Sequence, residues 1–177
     1  AASWNLIAGY CGYPAFGNVV FFGLGAYTTG ILMTKLQFSL LWAVASGGIL
    51  SVVLAVLLGF PLLRLKGHYF AIATLGVNEA LREIVINLTD LTGGGYGITL
   101  PILPGKVEFI LALFYFLMLG LLAAVILLTQ FISQSRFGFG CRAIRADEDA
   151  AAVLGIHTTK YKIIAWSLSA LFTGLAG

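Results

Sequence analysis

Charged residues fall in clusters along this chain, and the stretches between them stay apolar for lengths that soluble proteins rarely sustain. No charge precedes Lys35. Within that stretch, Trp4 to Pro14 carries Gly9, Gly12 and Pro14, a pattern that predicts a broken or entering segment. Residues 16–34 then predict a first full membrane span. Residues 36–63 are also uncharged; as a helix they would reach about 40 Å, more than the roughly 30 Å of a hydrocarbon core, and the second span is placed at 38–63. After the basic turn Arg64 to His68, a third apolar run covers 69–88 but carries Glu79, Arg82 and Glu83. Residues 90–106 hold Gly93, Gly94, Gly95, Gly97, Pro101, Pro104 and Gly105 and predict a loop. A fourth span is expected at 109–132, a polar loop at 135–162, and a fifth span at 163–177. The pattern predicts an all-α fold, a single polytopic transmembrane helix bundle.

Composition strengthens that picture. Of 177 residues, 60% are hydrophobic and 10% charged, whereas soluble domains carry about 25% charged residues to solvate their surface. Lipid must therefore cover much of this one. The net charge of +3 does not indicate nucleic acid, because basic residues of membrane proteins gather in cytoplasmic loops. If loop 135–162 is cytoplasmic, so is the 64–68 turn, and Arg64, Lys66, Arg136, Arg142, Arg145, Lys160 and Lys162 lie inside. Lys35 and Lys106 then lie outside, and Arg82 lies within a span. The imbalance predicts this orientation in a plasma (inner) membrane, multi-pass. The chain starts at Ala1 without Met and stops within an apolar run, so a fragment of a longer membrane chain is expected. Cys11 and Cys141 show no metal or disulfide spacing.

Several groups of residues invite a specific role. On the second span Ala43, Gly47, Ser51, Ala55 and Gly59 recur every four residues, a stripe that lets another helix approach closely. Glu79, Arg82 and Glu83 share one helical face at i, i+3 and i+4. Charges within a span are costly unless they meet protein or water, so these three either line or gate a path or form an internal ion pair. In the 135–162 loop, Asp147 can cap a short helix. Glu148 and Asp149 suit its positive N-terminal end, Gly155 suits a left-handed stop, and Thr158 or Thr159 can cap the helix that follows. Ala150, Ala151 and Ala152 give the short helix a surface of small residues.

Other chemistries find little support. Gly105-Lys106 is followed by Val107 and lacks the first glycine of a phosphate loop, so any energy from ATP needs a partner. Thr92 to Gly97 is read as an outer loop rather than an ion filter. His68 and His157 stand alone, without metal-ligand spacing, and no cofactor is expected. Ser46 does not sit in a nucleophile elbow, and an intramembrane hydrolase, the rival class, has no nucleophile–base pair.

Asp149-Ala150-Ala151-x-x-x-Gly155 is similar to the Glu-Ala-Ala-x-x-x-Gly loop of ABC-transporter permeases, with Asp149 in place of the glutamate and no Ile-x-Leu-Pro tail. The flanking stretches Asn5 to Tyr10, Phe21 to Tyr27, Arg64 to Leu75, Leu91 to Gly94 and Lys160 to Lys162 resemble the branched-chain amino-acid permeases, in particular the M-type subunit of the high-affinity leucine/isoleucine/valine importers. The resemblance runs nearly end to end. It implies a transport subunit rather than an enzyme, with a loop helix that docks on cytoplasmic ABC ATPase subunits through Arg142, Arg145, Asp149, Ala150, Ala151 and Gly155. It also implies a second homologous permease subunit, an extracytoplasmic substrate-binding protein and surrounding membrane lipid. A related ABC permease for urea, short amides or sugars remains the alternative.

Overall fold

A computed structural model describes residues 2–100 and 106–177. Its regular structure is helical throughout: a π-helical turn Leu6–Tyr10, α1 (Asn18–Lys35), α2 (Leu40–Leu62), α3 (His68–Asn87), a short α4 (Thr89–Thr92), a 3-10 turn Gly94–Tyr96, α5 (Val107–Gln134), α6 (Arg136–Ala146), α7 (Glu148–Val153) and α8 (Thr158–Ala176). Pro101, Pro104 and Gly105 of the expected outer loop lie outside the described residues.

The packed unit is α1, α2 and α8. Side chains there are small, so backbones meet. A Cβ on Gly25 would come within 2.1 Å of the Gly174 carbonyl oxygen, and one on Gly47 within 3.1 Å of the Gly25 oxygen. Ala43, Gly47, Ser51, Ala55 and Gly59 of α2 are all buried. The Ser51 hydroxyl donates within its own helix to Gly47 O (2.9 Å) and lies 3.3 Å from Phe21 O of α1. Thr28, Thr34 and Thr173 likewise return their hydroxyls to the carbonyls four residues back, so these polar side chains remain satisfied in an apolar setting. α1 ends where Gln37 turns left-handed, with φ 52°.

Among the described residues, two helices are long and apolar enough to cross a membrane, α2 and α5. The other expected spans form helices whose apolar character is diluted. Asn18 and Lys35 sit at the ends of α1, the three charges interrupt α3, and Lys160 and Lys162 fall in the first turns of α8, which begins at Thr158 rather than near Ile163. The helix is longer because the polar residues join its first turns instead of staying in the loop.

The α3 and α5 helices stand at the margin. Buried residues of α3 are Phe70, Ala71 and Thr74, all near its start. Those of α5 are Val125 and Ile132, beside α6 and α8, while Val107 to Leu119 shows a nearly continuous exposed apolar surface. The two ends of the bundle differ in their neighbours. At one end Lys35 donates to Asp90 O at 2.6 Å; at the other the N-terminal segment, the α2–α3 turn, α6, α7 and the start of α8 converge.

The glycine contacts generate a direct test. Gly25→Ala should lower the thermal unfolding midpoint of the purified protein, at a cost of about 1–3 kcal/mol for forcing two backbones apart. Gly23→Ala, whose added Cβ meets nothing within 4 Å, should be neutral or slightly stabilising on the same helix. Equal effects from both would show that the α1–α8 approach does not limit stability.

Candidate functional site

The convergent end of the bundle is built around α7. Asp147 is extended (φ −159°) and its carboxylate accepts from the amides of Asp149 (2.9 Å) and Ala150 (3.0 Å), which satisfies amides a helix start leaves free. Gly155 stops the helix with φ +83°, the left-handed region that costs other residues about 1–2 kcal/mol. The next helix starts differently from expectation. His157 occupies its N-cap and makes no side-chain cap bond, so neither Thr158 nor Thr159 serves as the cap.

Six residues cannot hold a helix on their own, because nucleation costs more than so few bonds return. Contacts with the bundle hold α7 instead. Lys162, in the second turn of α8, is buried to 2% side-chain exposure, and its ammonium lies 2.6 Å from Glu148 Oε1. The same nitrogen donates to Leu63 O at the end of α2 (2.9 Å) and to the Tyr13 hydroxyl (3.2 Å). Tyr13 in turn donates its hydroxyl proton to Glu148 Oε2, and its ring centroid is 4.5 Å from the ammonium. All three ammonium protons have partners, and both carboxylate oxygens accept. Burial tends to raise the Glu148 pKa, but the bonds from Lys162 and Tyr13 outweigh it and hold the carboxyl below its ordinary value. Burial and the neighbouring Glu148 push the Tyr13 hydroxyl up, so it stays protonated. Removing one partner of such a pair costs on the order of 3–5 kcal/mol, because the other charge remains buried.

The residues singled out for docking do not share one surface. Ala151 is buried in the core at 2% exposure, packed against this chain's own side chains. At three residues beyond Glu148 it lies on the same helical face and turns inward with it. Ala150 and Ala152 are exposed. The outward apolar surface is Val153 and Leu154, at 87% and 80% exposure, two residues that sequence reasoning passed over. Asp149 is exposed and pairs with Lys66 at 2.6 Å. Arg142 folds back onto Ser133 O (2.5 Å) and lies over the Phe139 ring. Arg145 donates to Gly9 O at 2.5 Å. Both arginines therefore tie α6 to this chain's own backbone.

Two further contacts brace α6. The Phe137 ring stacks on Tyr161 at 5.2 Å and 7°. Cys11 and Cys141, distant in sequence, are both buried and free; the neighbouring Cys141, together with burial, pushes the Cys11 thiol up. Elsewhere, Glu79 and Arg82 pair at 2.9 Å, but both are more than 60% exposed, and Glu83 beside them is exposed as well. Among the described residues no group of His, Cys, Asp and Glu is arranged to hold a metal ion.

The fold defines an all-α membrane helix bundle. The chain matches, over residues 1–177, the family described as branched-chain amino acid transport system / permease component, and it belongs to that family. It is similar to the high-affinity branched-chain amino acid transport system permease protein LivM of Salmonella typhimurium, at 30% identity over 98% of this chain and 47% of that protein. The Escherichia coli protein of the same name is 32% identical over the same shares. A probable branched-chain amino acid transport permease protein LivM of Methanocaldococcus jannaschii is 25% identical over 99% of this chain and 61% of its own length. The chain spans about half the length of the two bacterial relatives. No solved structure matches it.

The depressed Glu148 value predicts a pH dependence. A carboxyl held below its unfolded value contributes stability that is complete above the unfolded pKa and disappears as pH falls through the folded one. Between pH 6 and pH 3.5 the unfolding midpoint of the purified protein should fall further for wild type than for Glu148→Gln. Parallel curves would show that this carboxylate does not titrate with unfolding.

Proposed function

We propose that this chain is part of the permease subunit of an ATP-driven importer of branched-chain amino acids. The names of its relatives support the substrate class. On this reading the protein is a multi-pass protein of the plasma membrane with spans near 16–34, 38–63, 69–88, 109–132 and 163–177. It works by alternating access with a second homologous permease subunit and an extracytoplasmic substrate-binding protein, and it performs no ATP chemistry itself. The loop 135–162 is cytoplasmic, and α7 is the element on which separate ATPase subunits act. Glu79, Arg82 and Glu83 face the translocation path or an internal pairing surface, because exposed charges on a membrane-crossing helix need water or protein beside them.

The observation that carries the docking role is the two-sidedness of α7. One side is anchored by Glu148 and Ala151. The other projects Val153 and Leu154 into solvent beside the left-handed Gly155. A short, rigidly capped helix with an exposed apolar tip is suited to a cleft on another protein.

In the complete transporter, Val153→Asp combined with Leu154→Asp should abolish co-purification of the ATPase and lower leucine uptake by about tenfold or more, while membrane insertion stays normal. Gly155→Val should act in the same direction by straining the helix stop. Wild-type assembly and uptake in both variants would remove α7 from the coupling role. For orientation, a cysteine at Tyr96 should react with a membrane-impermeant reagent added to intact cells, and one at Arg142 should not. The reverse pattern would invert the topology.

A further inference from the structure

The Glu148–Lys162 pair does not end at the surface of the bundle. Tyr13 packs edge-on against Phe70 of α3, with centroids 5.4 Å apart and planes at 76°. Phe70 meets Trp166 of α8 at 5.5 Å and 78°. Trp166 then meets Phe21 of α1 at 5.8 Å and 73°. Each of these rings is buried. A continuous line of bonded or edge-packed side chains therefore runs from the N-terminal turn of α7 into α3, α8 and α1, and Lys162 adds α2 through Leu63 O.

We propose that Lys162 and Tyr13 are positioning residues that relay displacement of α7 to the membrane helices, with Glu148 as the grip on α7 and Phe70, Trp166 and Phe21 as the inward line. The proposal rests on α7 being the element an ATPase moves.

Alternatives for carrying the motion are weaker. Residues 154–157 join α7 to α8 through the left-handed Gly155, where a Cβ would meet nothing within 4 Å; that link has room to bend. The Lys66–Asp149 pair is solvent-exposed on both sides, so water screens it and its geometry is loose. The Lys162 ammonium, by contrast, has its three donors committed to three different elements, and the Tyr13 hydroxyl both accepts from it and donates to Glu148. Tight interiors pass on displacement because a packed side chain has few places to go. Edge-to-face rings add a geometric preference to that packing.

Coupling claims need a coupling measurement. The complete transporter, reconstituted in proteoliposomes with its ATPase, should be assayed for amino-acid uptake, ATP hydrolysis and retained ATPase in the same preparations. The variants are Glu148→Gln, Lys162→Met, Tyr13→Phe and Lys162→Arg. A merely structural cluster would lower the amount of assembled transporter and scale uptake and hydrolysis together.

The relay requires a different result. Glu148→Gln and Lys162→Met should keep the ATPase bound and hydrolysing, while uptake per ATP falls by about tenfold, within the range by which mutations along coupling networks act. Tyr13→Phe, which removes one hydroxyl and keeps the ring, should give a smaller loss, and Lys162→Arg should recover part of the wild-type ratio. An unchanged ratio in Glu148→Gln and Lys162→Met overturns the relay. So does failure of all four variants to assemble, which would make the cluster a folding anchor. The docking reading is judged separately, since the Val153→Asp, Leu154→Asp variant leaves the relay intact. If that variant loses the ATPase while uptake per ATP stays unchanged in Glu148→Gln and Lys162→Met, docking stands and the relay fails.

Discussion

A charge buried away from water must be met on every side, and Lys162 imposes that requirement on this fold. Its ammonium has three protons to place, and no single neighbouring element could receive them all. The solution draws in the N-terminal segment through Tyr13, the end of α2 through a main-chain carbonyl, and α7 through Glu148. The irregular parts of the chain take their positions from this one demand. The broken segment near Gly12 brings Tyr13 under the ammonium, and α7, too short to persist alone, is held where Glu148 can reach it. Desolvation is repaid only when the geometry is complete, so the cluster favours a single arrangement over many near ones.

The helices themselves obey a different constraint. In lipid, apolar side chains gain nothing by leaving solvent for another helix, so association depends on close fit. Here α1, α2 and α8 achieve it by having almost nothing between their backbones. Gly25 faces Gly174, Gly174 faces Ser51, and Gly47 faces Gly25. The aromatic line of Phe21, Trp166 and Phe70 fills the wider space below. Close contact holds the upper part of the bundle and large rings the lower part, nearest the charged cluster.

The helical class of the fold was legible because apolar length is a one-dimensional signal, and so was the Asp147 cap, since a cap is set by its immediate sequence neighbours. The left-handed stop at Gly155 was legible for the same reason. Lys162 was not. It sits two residues from Lys160 in a polar stretch, and nothing local distinguishes the buried lysine from the exposed one; the difference is set by Tyr13 and Leu63, far away in sequence. The Cys11–Cys141 contact was hidden in the same way. The inward turn of Ala151 was hidden because three consecutive alanines look alike until the helix is placed against its neighbours. Even then a signal existed: Glu148 and Ala151 lie three apart, one face of a helix, and a buried partner for Glu148 implies an inward Ala151.

The same electrostatic logic separates the two faces left open on α5 and α3. The bare side of α5 is uncharged from Phe109 to Gln134, so hydrocarbon can cover it at no cost. The open side of α3 carries Glu79, Arg82 and Glu83; among the described residues Arg82 pairs with Glu79, both partners exposed, and no ion pair reaches Glu83. On the proposed topology hydrocarbon cannot cover that side, since the charges would lose far more solvation than one exposed pair returns. Protein or water has to lie against it. Phe70, at the start of the same helix, is where the line from Lys162 enters α3. The helix that most needs a polar neighbour is thus joined by direct packing to the cluster that holds α7.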